Sequence, residues 1–454
     1  MKIHFIAIGG SAMHNLAIAL HKKGYDVSGS DDEIFEPSKS KLAFYGLLPN
    51  KEGWDTSKIT KELDAVIIGM HARIDNPELL EAQKMGLKVY SYPEFLYEQS
   101  KTKKRIVIGG SHGKTTITAM IIHVLNYCKI DCDYMVGAQL EGFEVMVKLT
   151  EKAPYMILEG DEYLTSPIDR RPKFHVYMPD IALISGIAWD HINVFPTFEN
   201  YIEQFRIFAD LVVDNGSLIY CDEDSVVKKV CENAKPNLTK IPYTAPLYKI
   251  SEGKTFVYAG DNIYQLKLFG KHNLLNLSGA KAVCNQLGIK DDVFFEAVSQ
   301  FRGATKRLEL VDSNERVNVY KDFAHSPSKL KATINAVKEQ YPERELVSCM
   351  ELHTFSSLTA EFLKQYKGAM QNTDIAIVYF NPHTIQHKKI PPISIQQIQE
   401  SFDRKDIKVY NDISILLEDL LKMEWQNKNL LMMSSGNFDG LDISQLAQQI
   451  ISSC

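Results

Sequence analysis

Seven residues, Gly110, Ser111, His112, Gly113, Lys114, Thr115 and Thr116, stand between an apolar run, Ile106 to Ile108, and a helix-patterned segment, Ile117 to Leu125. Strand, glycine turn and helix form the context in which backbone N–H groups curl around oxyanions, with the positive end of the helix dipole behind them. There Lys114 neutralises β- and γ-phosphate charge, and the Thr115 hydroxyl holds a Mg²⁺. Ile108 stands where the first Gly of G-x-x-x-x-G-K-[ST] belongs, so the loop reads as a shortened form opening at Gly110. The chemistry expected is nucleoside triphosphate binding. The competing reading is an ordinary βα turn that happens to contain Gly-Lys-Thr.

Glu159 ends a second apolar run, Tyr155 to Leu158, where a carboxylate binds Mg²⁺ directly or through water. Asp161 and Glu162 follow too closely for all three acids to ligate one ion, which leaves substrate contacts for one or both. A third run, Ile181 to Ser185, leads to Asp190 and His191, where a metal role competes with that of an ordinary loop histidine. In Gly270-Lys-His272-Asn273-Leu-Leu-Asn276 the two asparagines share a helix face. Asparagine is a poor interior helix former. Reading a purine edge is the functional reason for the pair, and capping by Asn273 the structural one. Arg302, Lys306 and Arg307 bracket the passage into the last segment, within reach of a triphosphate. Asp322-Phe-Ala-His325 and Ser434-Ser-Gly-Asn437 each follow a strand pattern on the crevice side. His383 and His387 have helical metal spacing, but Pro382 before them and Lys388-Lys389 after them argue for a surface turn.

The elements that must position these residues repeat a βα pattern. Lys2 to Ile8 reads as a strand, Gly9-Gly10 as a turn and Ala12 to Lys23 as a helix ended by Gly24. Strands at Tyr25 to Ser28, Ala65 to Met70 and Lys88 to Tyr90 complete a Rossmann-like unit, with Asp31 placed to meet a ribose or base. Ser100 to Arg105, polar and basic, reads as a solvated linker. Thr197 to Val213 reads as an amphipathic helix, residues 217–268 as strand-rich and Asn273 to Gln286 as a helix. A third series has strands at Val317 to Lys321, Leu346 to Met350, Ile375 to Phe380 and Leu430 to Met433. Its helices lie at Ser328 to Gln340 and Ala360 to Met370.

Length and composition agree. A chain of 454 residues exceeds one core and implies three domains. A formal charge of −6 excludes the basic footprint of non-specific nucleic-acid binding. No apolar stretch approaches a membrane span, and the N-terminus enters a strand pattern without a signal peptide. Seven scattered cysteines, including Cys454, lack C-x-x-C spacing and read as reduced thiols of a cytoplasmic protein.

The order and spacing of the motifs resemble the Mur ligases, the ATP-dependent amide-forming family of peptidoglycan synthesis. Those motifs are Ile8-Gly-Gly-Ser-Ala-Met13, Gly29-Ser-Asp31, Gly110 to Thr116, Glu159-Gly-Asp-Glu-Tyr163, Asp190-His191, His272 to Asn276, Lys306-Arg-Leu-Glu309 and Asp322 to His325. The resemblance implies an α/β fold in three domains. These are a Rossmann-like UDP-N-acetylmuramate domain over 1–100, a central ATP-binding domain over 101–302, and a Rossmann-like C-terminal domain over 303–454. It assigns the UDP-sugar to Gly9, Gly10, Ser11, Ala12, Met13, Ser30, Asp31 and His71. ATP falls to Gly110 through Thr116 with His272, Asn273, Asn276, Arg307 and Asp322. Metal falls to Thr115, Glu159 and His191, and catalysis to Lys114, Glu159, His191 and His325, the last orienting the attacking amine.

Within the family, Ile8 to Met13 and Asp190-His191 resemble the branch that uses UDP-N-acetylmuramate directly. The run from Glu159 to Phe174, with Phe323, resembles the member that adds L-alanyl-γ-D-glutamyl-meso-diaminopimelate. The member that adds L-alanine is the alternative. Glu351 to Ser357 replaces an arginine-containing loop that meets the amino component in relatives. No Lys occurs between His191 and Lys228, so the carbamylated lysine of other branches has no counterpart. A nicotinamide-dependent oxidoreductase, the rival from another class, leaves Lys114, Thr115 and Glu159 unexplained. A regulatory homologue that only binds UDP-sugar or ATP leaves Lys114, Thr115, Glu159 and His191 without purpose.

Overall fold

In the computed structural model, which describes residues 1–138, 145–192, 194–303 and 307–453, every apolar run named above is a strand. The first, Lys2–Ile6, stops two residues earlier than its apolar pattern, because Ala7 takes a φ of +67°. The N–H groups of Ala7 and Ile8 both turn onto the Ser30 carbonyl. Four parallel strands follow the spatial order Asp26–Ser30, Lys2–Ile6, Ala65–Ile68, Val89–Ser91. The helix after the glycine turn, Ser11–Lys22, ends where Gly24 adopts a φ of +90°.

The second sheet has the order Thr239–Tyr243, Ser217–Cys221, Ile181–Ile184, Lys104–Gly109, Tyr155–Glu159, Cys132–Met135, Val147–Lys148. All its pairs are parallel except the last. The phosphate-loop strand, Lys104–Gly109, is therefore central, flanked by the strands that end at Glu159 and Ile184. The helix Phe198–Asp210 is capped by the Thr197 hydroxyl, which accepts from Asn200 N–H at 3.2 Å. The region from 217 also carries a helix, Ser225–Glu232, before its antiparallel meander of Tyr248–Ser251, Lys254–Ala259 and Asn262–Leu266.

The segment expected to be a solvated linker is solvated only at Lys101, Thr102 and Lys104; Ser100, Lys103 and Arg105 are buried. Ser100 is buried at the end of a helix and the next strand begins at Lys104. Lys103 is buried too, its ammonium 2.8 Å from Asp133 and 2.8 Å from the Thr150 carbonyl. Arg105 lies on Asp180 and the Met178 carbonyl. Charge alone marked this stretch as wet, but each buried charge has a partner on or beside the second sheet.

The last sheet has the order Glu309–Ser313, Val317–Asp322, Lys428–Met433, Glu345–Leu352, Ile375–Phe380, Lys408–Tyr410, with only the first pair antiparallel. Ile375–Phe380, and Lys428–Met433 from Leu430 on, read as unbroken apolar runs because both faces are covered. Leu346, Met350, Val378 and Leu431 pack on one side, and Val347, Cys349, Ile377 and Leu430 on the other. The helix expected from Ala360 to Met370 runs only over Ala360–Leu363, and a 3₁₀ turn, Lys364–Tyr366, succeeds it. Two units emerge: 1–187 with 197–244 and 279–290, and 188–196 with 245–278 and 291–454. Among the described residues no helix is long and apolar enough to cross a membrane, and six cysteines are free thiols. Cys454, Lys306 and residues 139–144 lie outside the described residues.

Candidate functional site

The Gly110–Thr116 loop in the first unit, the candidate for phosphate, is fixed by glycine conformation and by the strand beside it. Gly110 has φ +134° and Gly113 φ +79°, the latter opening the helix Lys114–Tyr127. Ser111 donates its N–H to the Gly186 carbonyl at 2.9 Å, and the Ser185 hydroxyl donates to the His112 carbonyl. A Cβ on Gly186 would lie 2.2 Å from His112 Nε2, so any side chain there would have to displace the His112 ring.

Two carboxylates meet the start of the helix. The Thr115 hydroxyl donates to Glu159 Oε1 at 3.0 Å, and Gly137 N–H to Glu159 Oε2 at 2.8 Å. Lys114 Nζ lies 2.6 Å from Glu162 Oε2 and 2.6 Å from the Gly110 carbonyl. The Tyr201 hydroxyl donates to Glu162 Oε1 at 3.0 Å. Burial works against the Lys114 charge, but Glu162, Asp161 and Glu159 outweigh it and raise its pKa. Asp161 pairs with Lys173 at 2.5 Å. Sequence reasoning left Glu162 and Asp161 without defined partners. Tyr201 was hidden in an amphipathic pattern, and Lys173 in a basic run.

The N-terminal turn divides the residues expected to meet a UDP-sugar. Ser11, Ala12 and His71 are exposed, and Gly9 and Gly10 half-buried. Met13 is buried, its Cγ 3.2 Å from where a Cβ on Gly69 would stand, so it packs the turn. Asp31 is turned inward as well, accepting Gly9 N–H at 2.6 Å and Asp32 N–H at 3.0 Å. It braces the glycine turn where the sequence suggested a ribose contact. Burial and the neighbouring Asp32 push its pKa up to about 6, against the Gly9 bond. The Ser30 hydroxyl accepts from Lys58 Nζ at 3.0 Å.

The second unit holds the remaining candidates. His191 sits at φ +54°, its N–H on Asp190 Oδ1 at 2.8 Å. Lys329 Nζ lies 3.8 Å from Asp190 Oδ2. Burial opposes ionisation of Asp190, yet Lys329, His191 and His325 together hold its pKa below the usual value. His325 Nδ1 is 2.7 Å from the Phe323 carbonyl. A carbonyl only accepts, so the proton sits on Nδ1 and Nε2 keeps its lone pair. Burial first, then Lys329, lowers the His325 pKa to about 4. The Arg307 guanidinium lies 4.8 Å from the centre of the Phe323 ring, whereas Arg302 is exposed. Asp322 accepts Ala324 N–H at 2.7 Å and also the Leu308 N–H. The Asn273 side chain, on the third residue of the helix Lys271–Gln286, donates its amide N–H to the Phe269 carbonyl at 3.0 Å, a local bond that is not the capping expected of it, in which its oxygen would accept a backbone N–H. His272 is half-buried, and among the described residues its buried Nδ1 atom has no hydrogen-bond partner. His383 and His387 are exposed on the short helix Pro382–His387.

Three family models span the chain. The Mur ligase family catalytic domain matches residues 2–104, the Mur ligase middle domain 108–284, and the Mur ligase glutamate ligase domain 306–436. The chain belongs to the Mur ligase family. It is an ATP-dependent ligase of peptidoglycan synthesis. A UDP-N-acetylmuramate–L-alanine ligase of Carboxydothermus hydrogenoformans is 30% identical over 89% of this chain and 87% of its own length. Among solved structures, UDP-N-acetylmuramate–alanine ligase MurC of Thermotoga maritima has TM-score 0.70 at 20% identity, covering 100% of this chain and 99% of that one. A murein peptide ligase of Psychrobacter arcticus has TM-score 0.65 at 21% identity, covering 100% and 98%. At such identities these two structures speak for the fold alone.

Proposed function

We propose that this ligase joins the lactyl carboxylate of UDP-N-acetylmuramate to the amine of L-alanine. The observation that carries the choice of amine is the activity named for the relative that matches nine-tenths of the chain. Residues 1–100 are assigned to the UDP-sugar through Gly9, Gly10, Ser11, Ala12, Ser30 and His71. Residues 101–302 are assigned to ATP, and 303–454 to the amine. His272, Asn273, Asn276, Arg307 and Asp322 complete the nucleotide assignment, and the unpartnered Nδ1 of His272 supports it.

A carboxylate is a poor electrophile, so the γ-phosphoryl group of ATP first converts it to an acyl phosphate. The amine then attacks and phosphate leaves. Lys114 neutralises the transferred charge, which requires its ammonium to be shared between Glu162 and phosphate. Thr115 and Glu159 present two adjacent hard oxygen donors at the start of the loop helix, a set that fits Mg²⁺. They, with His191, are the residues assigned to hold it. Bound Mg²⁺ supplies charge neutralisation on phosphate oxygens. His325 is neutral at physiological pH, and its unprotonated Nε2 receives the proton of the attacking amine.

The sequence resemblance of Glu159 to Phe174 and of Phe323 favours a second reading, a peptide beginning with L-alanine. The absence of arginine from His353 to Ser357 supports it. Phosphate release from ATP and UDP-N-acetylmuramate, with L-alanine and the tripeptide offered separately, decides between them. L-alanine is expected to give the higher kcat/KM. A tenfold preference for the tripeptide, about 1.4 kcal/mol, reverses the assignment.

A further inference from the structure

Asparagine is disfavoured inside a helix, and burying its amide is costly unless the polar atoms find partners. Asn15 stands in the second turn of the helix Ser11–Lys22 and is fully buried. Its amide bonds in two directions. Nδ2 donates to the Ser11 carbonyl one turn back at 2.8 Å and to His14 Nε2 at 2.9 Å. Oδ1 accepts the backbone N–H of Met146 at 3.0 Å, 131 residues away. Met146 directly precedes Val147–Lys148, the edge strand of the second sheet. A flipped amide would set oxygen against the Ser11 carbonyl and N–H against N–H, so the bonding pattern fixes its orientation.

Each end of this amide leads to a candidate site. On one side His14, also buried, turns Nδ1 to the Gly10 carbonyl at 3.0 Å and to Ser38 Oγ at 2.9 Å. A carbonyl only accepts, so the proton is on Nδ1, and the Nε2 lone pair takes the Asn15 N–H. Burial, with Lys41 adding to it, lowers the His14 pKa against the Gly10 bond, so the ring is neutral at physiological pH. His14 and Asn15 thus hold the carbonyls of Gly10 and Ser11, in the glycine turn assigned above to the UDP-sugar. On the other side, the Met146 carbonyl accepts Val136 N–H at 2.9 Å. The next residue, Gly137, donates its N–H to Glu159, which also accepts from Thr115. A Cβ on Gly137 would stand 2.5 Å from Glu159 Oε1, so this strand end lies directly against the carboxylate.

We propose that Asn15 is a positioning residue that holds the UDP-sugar turn in register with the strand end carrying Gly137 and Glu159. This rests on the ligase reading above. In that reaction the lactyl carboxylate, anchored through its UDP end, must meet a γ-phosphoryl group held at the second sheet, and phosphoryl transfer depends on alignment. Asn15 acts through the backbone of Ser11 and of Met146, one on each of the two elements that must be aligned.

Asn15→Ser separates this role from a local one. Its hydroxyl still bonds the Ser11 carbonyl one turn back, but it is too short to reach Met146. Calorimetric titration with UDP-N-acetylmuramate, beside a non-hydrolysable ATP analogue, gives its Kd and counts the competent sites. Phosphate release at saturating ATP and UDP-N-acetylmuramate, with whichever amine turns over, then gives kcat per site. That kcat is expected to fall roughly tenfold to a hundredfold, the cost of misplacing aligned reactants. The Kd should stay within about twofold, since the interaction lost is one that only the reaction needs. Met146→Pro deletes the N–H partner instead, at a sheet edge where proline is tolerated. It should give the same loss, and the double variant should add nothing. Wild-type kcat per site in both single variants overturns the inference and leaves the ligase reading intact. A raised Kd with unchanged kcat also overturns it, by confining Asn15 to shaping its own turn. If the wild type releases no UDP-N-acetylmuramate-dependent phosphate with either amine, the ligase reading fails and takes the inference with it. Should Asn15→Ser not fold, Met146→Pro decides alone.

Discussion

Lys114 Nζ and Glu162 Oε2 lie 2.6 Å apart at the mouth of the phosphate loop, so the loop's cation already has an anion of its own. Both side chains are largely shielded from water, and Glu162 is also bonded by Tyr201. A triphosphate at this loop must draw the ammonium from Glu162 or share it.

Removing the lysine therefore does two things. Lys114→Ala strands a buried carboxylate, which should cost about 3–5 kcal/mol of stability. It should also lower ligation by at least about tenfold to a hundredfold. In Lys114→Ala/Glu162→Gln the stability is expected to return while activity stays low. Urea denaturation beside phosphate-release assays separates the two effects. A single variant with wild-type ligation rates shows that the loop does not serve ATP.

Gly110→Ala tests the loop without touching charge. The added Cβ would fall 2.1 Å from Ser185 Oγ, at a φ of +134° that side chains rarely adopt. Strain of about 1–3 kcal/mol should appear as a rise in the ATP KM of around tenfold or more. The amine KM is expected to stay unchanged. Equal rises in both would place the damage in the fold rather than in the nucleotide site.

The sequence revealed elements wherever one physical constraint dominated. Ile375 to Phe380 is apolar at every position because its sheet is covered on both faces, and its bounds were legible to the residue. The turn from Gly110 to Lys114 was legible because a strand, two glycines and a helix leave few alternatives. Long-range pairing was not legible. Nothing near Lys103 announces Asp133, and nothing near Glu162 announces Tyr201, since these partners lie dozens of residues away in the chain. Asp31 had the right position for a ribose contact, but the short Gly9 turn brought a backbone N–H to it first. Nor does the sequence around Asn273 announce that its amide N–H is spent on the Phe269 carbonyl.

Asp133→Ala measures what the misread linker is worth. Its carboxylate is fully buried against Lys103, and also accepts from Thr150. Loss of one partner leaves an uncompensated charge, so a destabilisation of about 3–5 kcal/mol is expected in urea melts. A solvated linker would instead give a change within about 0.5 kcal/mol, and such a result would contradict the buried pair.

Asp31 makes a prediction in pH. Its folded pKa is raised from 3.8 to about 6, chiefly by burial, with Asp32 adding to it. The sign follows from linkage: where the folded state holds its proton more tightly, that contribution to stability is complete below the unfolded pKa. It is lost as pH rises through about 6, when the carboxyl must ionise in a place that disfavours charge. Asp31→Asn keeps an oxygen for Gly9 N–H and has nothing to ionise. Its stability relative to wild type should rise across the interval from about pH 4 to pH 7, by on the order of 1–3 kcal/mol at the upper end. Thermal melts of both proteins over that range test this. A variant that loses ground to wild type as pH rises would show that ionised Asp31 is stabilised by its turn, and that the carboxylate form is the one the glycine loop needs.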